Sequence, residues 1–245
     1  MSDTEDSDPV EEDSGWNIEW GKLFVGYLLG RQGAGKSNMI KNIVRQSVES
    51  KTHAWYCAMT PTRHAGEFDY LDPASVVEFT PEKFLSIFTQ IKAYREKCAK
   101  EKKKCKLSRG LLILSDTCGA NQRLMFRPDF INAFICLRHY GPIDLIVDSQ
   151  VYTGCPPVFR ALCSHICMWR TQGSSQTKKL HTFAGGMVDG GHKEFRRVLN
   201  DATAEDYSVL VYTANQPTFE KSYMSFVPKL ADDFRVTYKL PFKIS

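Results

Sequence analysis

Gly30-Arg31-Gln32-Gly33-Ala34-Gly35-Lys36-Ser37 fits the pattern G-x-x-x-x-G-K-[ST] and constrains the fold more than any other stretch of the chain. Such a segment cradles phosphate only when a strand runs into it and a helix starts from it. Both are readable. Leu23 to Leu29 is an apolar run that reads as a buried strand, and Met39, Ile40, Ile43, Val44 and Val48 recur at helical spacing between Ser37 and Ser50. Glycines 30, 33 and 35 let the backbone fold around a phosphate with its N–H groups pointing inward. The helix N-terminus adds partial positive charge beneath the same phosphate. Lys36 has the reach for the β- and γ-phosphates of a nucleotide, and the Ser37 hydroxyl is an oxygen ligand for Mg²⁺. A bare glycine turn would not require Lys-Ser. The eight residues are therefore expected to bind a nucleoside triphosphate, ATP, with Mg²⁺ as cofactor.

Charge is unevenly spread. The net charge is +4, yet residues 1–14 carry seven acidic and no basic side chains, too little apolar surface to order themselves. Residues 1–15 are read as a disordered acidic tail. Residues 92–109 carry nine Lys or Arg against two Glu, ending a helix that begins near Pro81; Lys178, Lys179, Lys193, Arg196 and Arg197 form a second basic group in a Gly-rich region that reads as loops. Each is a solvated surface or a contact for a nucleic-acid backbone. No stretch reaches the roughly 18 uncharged apolar residues of a membrane span, and the acidic N-terminus does not resemble a secretory signal. The eight cysteines show no disulfide-like framework, which points to an intracellular, reducing compartment. Cys163, His165 and Cys167 lack further ligands at metal-binding spacing and read as buried strand residues.

Short apolar runs alternate with helical patterns. Ala54–Met59, Val76–Phe79, Leu111–Leu114, Ile143–Val147 and Ser164–Trp169 read as strands, with helices over 82–100 and 128–140 and a helical turn over Val158–Leu162. Val209–Tyr212 and Phe234–Tyr238 read as late strands. Strands apolar on both faces and separated by helices predict an α/β fold with a largely parallel central sheet flanked by helices.

Hydrolysis needs an acidic group near the phosphate loop. Leu111–Leu114 ends in Ser115-Asp116, placing a carboxylate at the loop edge, and Asp116 is the first candidate for Mg²⁺ or the attacking water. Asp148, ending the next strand, is its rival. Gln150 at that strand's end is a candidate γ-phosphate sensor. Arg138 and Arg160 are candidates to stabilise the transferring phosphoryl group, Arg138 from a neighbouring subunit.

In this order, the phosphate loop, Leu111–Asp116, Leu137-Arg138-His139-Tyr140, Leu145 to Gln150 and the Pro156 to Arg160 segment resemble the poxvirus-type genome-packaging ATPases of the FtsK–HerA superfamily. The likeness spans about residues 20–215. It implies a RecA-like P-loop NTPase core over 16–215, with 216–245 a strand-containing extension packed on it. It also implies a ring homo-oligomer that uses ATP hydrolysis to translocate double-stranded DNA into a preformed capsid. The implied partners are DNA, other copies of the chain and a capsid or portal-like vertex protein, in the host cytoplasm, a viral factory or the virion. By position Arg138 matches the family's arginine and Gln150 its strand-end sensor. The family ends its second acidic strand with two acidic residues, whereas this chain has Ser115-Asp116. A small-molecule P-loop kinase, with residues 170–200 as its lid, and a non-catalytic nucleotide-binding scaffold are the alternatives.

Overall fold

Apolar runs of five to seven residues become strands with no exposed position: β1 (Val25–Leu29), β2 (Trp55–Thr60), β4 (Gly110–Leu114) and β5 (Ile143–Ser149). The computed structural model describes residues 16–61, 66–103, 107–117, 125–136, 142–171, 173–186, 188–230, 233–238, 240, 241 and 244. Adding β3 (Val76–Glu78), β6 (His165–Met168), β7 (Val209–Thr213) and β8 (Tyr223–Phe226) gives one eight-stranded sheet of order β3-β2-β4-β5-β1-β6-β7-β8. The first six in that order are parallel, and β7 and β8 are antiparallel.

Parallel neighbours require crossovers, and these cover both faces of the sheet. Helix α1 (Lys36–Glu49) lays Met39, Ile40, Ile43 and Val44 against Tyr56, Leu111, Ile113 and Ile146 on one face. On the other face, α2 (Pro81–Lys100), α3 (Pro128–Ile135) and α4 (Pro157–Leu162) bring together Phe84, Phe88, Phe130, Phe134 and Phe159. The rings of Phe84 and Phe130 stack with centroids 4.6 Å apart. Each such side chain, fully buried, stabilises the fold by about 1.5–3 kcal/mol. Helix α2 starts where its sequence says it should: Thr80 Oγ1 accepts the Lys83 N–H at 3.2 Å, Pro81 occupies the first turn, and Lys97 and Lys100 lie in the last. Gly110 opens β4 because any Cβ there would lie 1.8 Å from the buried Trp55 ring.

At the N-terminal edge of the sheet, Asp144 is fully buried and accepts four hydrogen bonds. These come from the Phe24 N–H (2.9 Å), His53 Nε2 (2.6 Å), Arg109 Nε (2.7 Å) and Arg109 Nη2 (3.0 Å). His53 Nδ1 meets the Ser47 hydroxyl, which also meets the Tyr56 hydroxyl at 2.7 Å. Arg109 further donates to the carbonyls of Trp20 and Lys22, tying the segment before β1 to the base of β4 and β5.

Three expectations are corrected. Phe234–Tyr238 alternates like a strand but is not one: its Val236 N–H goes to the Tyr70 carbonyl at 2.7 Å, outside the sheet. The last strand is instead β8, paired with β7. Residues 174–202 are not loops but α5 (Ser174–Ala184) and α6 (Gly191–Ala202), with Leu180, Ala184, Phe195 and Leu199 in the core.

Two predictions follow from the buried polar groups. Asp144→Ala leaves Arg109 and His53 without their carboxylate and is expected to cost about 3–5 kcal/mol in urea unfolding; a loss below about 1 kcal/mol would show that solvent replaces it. His165 packs against the rings of Trp16 and Phe24, and burial pushes its imidazole down to about 4. The unfolded chain therefore takes up that proton first. Stability is unaffected by this group above its ordinary pKa of about 6.5 and falls as pH drops from there toward 4. Between pH 7 and 4.5 the wild type should lose about 2 kcal/mol more unfolding free energy than His165→Gln.

Candidate nucleotide-binding site

Between Leu29 and Lys36 the chain turns through Gly33 at φ +75° and Gly35 at φ +99°, left-handed conformations that favour glycine. Gly35 is the N-cap of α1 and no side chain caps that end, where the first N–H groups of a helix have no acceptor within the helix itself. Lys36 is only 7% exposed, and its Nζ donates to the carbonyls of Gly30 (2.9 Å) and Arg31 (3.1 Å), folding back across the loop. A hollow of about 370 Å³ opens over these groups, with Glu67, Asp116, Asp148, Gln150 and Tyr207 on its other sides. Anion-seeking N–H groups and an ammonium on one wall, carboxylates on the other, suit a metal-bound phosphate.

The sheet order explains the convergence. Strand β5 lies between β1 and β4, with Leu29 level with Ser149 and Leu114 level with Val147. All three strands end together, at the carboxyl edge where open α/β sheets bind ligands. Asp116, two residues past the end of β4, sits at φ +50°, a conformation Asp tolerates better than most residues, and its N–H donates to Asp148 Oδ1 at 2.6 Å. The two rival aspartates thus do different things: Asp116 is exposed to the hollow, and Asp148, 2% exposed, holds Asp116's backbone from beneath. Burial pushes the Asp148 carboxyl up to about 7, against the lowering effect of the Asp116 N–H.

Glu67 was not identified from the sequence. Its Oε1 accepts the Ser37 hydroxyl at 2.5 Å and the Ser115 hydroxyl at 3.4 Å. It sits in a polar, Gly-flanked loop after β2 with no local pattern to mark it; only the buried Phe68, Tyr70 and Leu71 that follow, anchoring the loop, could have signalled a fixed position. Ser37 and Asp116 offer the hard oxygen donors Mg²⁺ prefers. Among the described residues no three His, Cys, Asp or Glu form a tight metal-holding group.

The other candidates are placed as follows. Gln150 lines the hollow and is exposed. Arg160 does not line it: its guanidinium donates to the carbonyls of Tyr152 (3.3 Å) and Cys155 (2.7 Å) and lies over the Tyr152 ring. Arg138 lies outside the described residues. Arg31, Gly33 and Ala34 also border a second hollow of about 300 Å³, closed by Trp169, Arg170 and the turn 203–208. There the Trp169 indole N–H donates to the Tyr207 carbonyl at 3.2 Å and braces Tyr207 at φ +65°. Of the basic runs, Arg109 is engaged with Asp144 and Arg197 with Glu194 and Asp201, so neither is a free surface cation. Cys163 and Cys167 are buried, and burial pushes both thiols up.

Asp148 acts through its oxygen acceptor, and this can be tested. Asp148→Asn keeps an acceptor for the Asp116 N–H and should cost less than about 1 kcal/mol in urea unfolding, whereas Asp148→Ala leaves that N–H unmet and should cost about 1–3 kcal/mol.

No protein-family model matches the chain, and no curated protein matches its sequence. Solved structures do match. The genome-packaging NTPase B204 from Sulfolobus turreted icosahedral virus 2, in complex with ATP-γS, superposes with a TM-score of 0.58 at 16% identity, covering 84% of this chain and 97% of that one. The pCW3 conjugation coupling protein TcpA, in monomer form with ATPγS, gives 0.55 at 14% identity over 88% of this chain and 63% of that one. The cytoplasmic domain of the Thermomonospora curvata type VII secretion ATPase EccC gives 0.53 at 14% identity over 83% of this chain but only 25% of that one. The chain therefore has the P-loop NTPase fold of a viral genome-packaging NTPase over nearly that protein's whole length, and the resemblance drawn from its sequence holds at the level of the fold.

Proposed function

We propose that this chain is an ATP-hydrolysing motor that translocates double-stranded DNA and packages a viral genome into a preformed capsid. The observation that carries the reading is the uncapped start of α1, with Lys36 and Ser37, facing Asp116 and Gln150 across one hollow. In this reading the first-turn N–H groups and the turns at Gly33 and Gly35 take the β-phosphate. Lys36 exchanges its loop carbonyls for phosphate oxygens. Ser37 and Asp116 hold Mg²⁺, which supplies charge neutralisation between the β- and γ-phosphates. Gln150 stands at the γ-phosphate end, and the nucleoside extends into the neighbouring hollow beside Arg31, Trp169 and Tyr207. The similarity to B204 structures in complex with AMPPCP, ATP-γS and AMP supports the choice of nucleotide.

The DNA and ring parts of the proposal rest on chemistry and resemblance. Lys97 and Lys100 on α2, and Lys178, Lys179, Lys193 and Arg196 on α5 and α6, supply sequence-independent contacts to a phosphate backbone. Arg138 acts from a neighbouring subunit on the γ-phosphate of a ring homo-oligomer, while Arg160 steadies the loop after β5. A capsid or portal-like vertex protein is the docking partner, in the host cytoplasm, a viral factory or the virion. No described helix is long and apolar enough to cross a membrane. Against the kinase alternative, which needs residues 170–200 as a lid, Leu180, Ala184, Phe195 and Leu199 of that segment pack into the core.

Phosphate release from ATP, with and without double-stranded DNA, tests the reading. Wild type should hydrolyse ATP faster with DNA, and Lys36→Ala should lower the rate about 100-fold or more. Transfer of the γ-phosphate to a nucleotide acceptor, indifferent to DNA, would contradict it.

A further inference from the structure

A phosphate loop and one metal-binding carboxylate do not account for activation of the attacking water. Just past the end of β4 stands Asp116, between Ser115 and Thr117, so that end offers a single acid. Asp148 is no substitute, since it is 2% exposed and its Oδ1 is used by the Asp116 N–H. The remaining carboxylate on the hollow is Glu67.

We propose that Glu67 is the catalytic carboxylate that orients the attacking water and accepts its proton. The assignment rests on the ATPase reading given above and supplies the acid that the sequence lacks beside Asp116. Its support is positional. Strands β2 and β4 are neighbours, with Met59 level with Leu114, and the Ser115 N–H donates to the Met59 carbonyl at 2.9 Å. The chain leaving β2 therefore emerges beside Asp116. Phe68, Tyr70 and Leu71 are buried, and the Tyr70 carbonyl accepts the Val236 N–H, so the loop carrying Glu67 is held from behind. Glu67 itself is half-buried, and its Oε1 reaches the Ser37 hydroxyl at 2.5 Å, at the phosphate end of the hollow.

The step balances without any further reactant. Water oxygen bonds to the γ-phosphorus as its proton passes to the Glu67 carboxylate. The bond from that phosphorus to the β–γ bridging oxygen breaks, its electron pair remaining on ADP. Inorganic phosphate leaves, and Glu67 returns its proton to solvent.

Glu67→Gln keeps the side-chain length and an acceptor for Ser37 but cannot take a proton. Compared in the full chain with wild type and Lys36→Ala, it should bind Mg²⁺ and ATP within about threefold of wild-type affinity, read by displacement of a fluorescent ATP. Its single-turnover hydrolysis should fall about 100-fold or more. Hydrolysis within about threefold of wild type, or a loss matched by an equal loss of nucleotide affinity, would overturn the role of Glu67. The ATPase reading would then still stand on wild type against Lys36→Ala. Absence of phosphate release from wild type would overturn both.

Discussion

The site depends on backbone N–H groups that the chain leaves uncapped. Most helices satisfy their first-turn donors with a Ser, Thr, Asp or Asn side chain, as α2 does with Thr80. Helix α1 does not, because its N-cap is a left-handed glycine. Those donors, and the macrodipole behind them, are available to an anion. Lys36 comes to the same hollow from the other side, a nearly buried ammonium held by the carbonyls of Gly30 and Arg31 in its own loop. A phosphate satisfies both at once.

The opposite edge of the sheet is built in the reverse sense. There Asp144 collects an arginine, a histidine and a backbone N–H, and Arg109 reaches on to the segment before β1. Asp144 and His53 are buried there and the half-buried Arg109 joins them, which ties β1, β4 and β5 together from below. Because strands are stiff, register fixed at one edge sets where the strands end at the other. Asp116, Asp148 and Gln150 are therefore placed relative to Ser37 by packing some five residues away, and the short bond from Asp116 to Asp148 completes the alignment.

What was legible in the sequence was local. Gly30–Ser37 carries its strand, turn and helix within a few residues, and Leu111–Asp116 shows its burial and its terminal carboxylate in one run. Helices α5 and α6 were missed because their buried faces use Thr177, Ala184 and only a few large apolar residues, such as Leu180, Phe195 and Leu199, among many polar ones. Phe234–Tyr238 was misread because alternation is shared by strands and by extended segments that make one bond to a loop. Glu67 was invisible for another reason. Its place beside Ser37 comes from β2 and β4 being neighbours, a long-range fact that no spacing along the chain records. The division between Asp116 and Asp148 likewise needed the fold, since both simply end apolar strands.

The central claim is that Ser37 and Asp116 hold a metal-bound nucleotide on the uncapped end of α1. Titrating ATP against the protein with and without Mg²⁺ tests it most directly. The account predicts affinity at least about tenfold higher with Mg²⁺, a gain of about 1.4 kcal/mol that disappears in Ser37→Ala. Equal affinity in Mg²⁺ and in chelator, or a Mg²⁺ gain that survives Ser37→Ala, would contradict it.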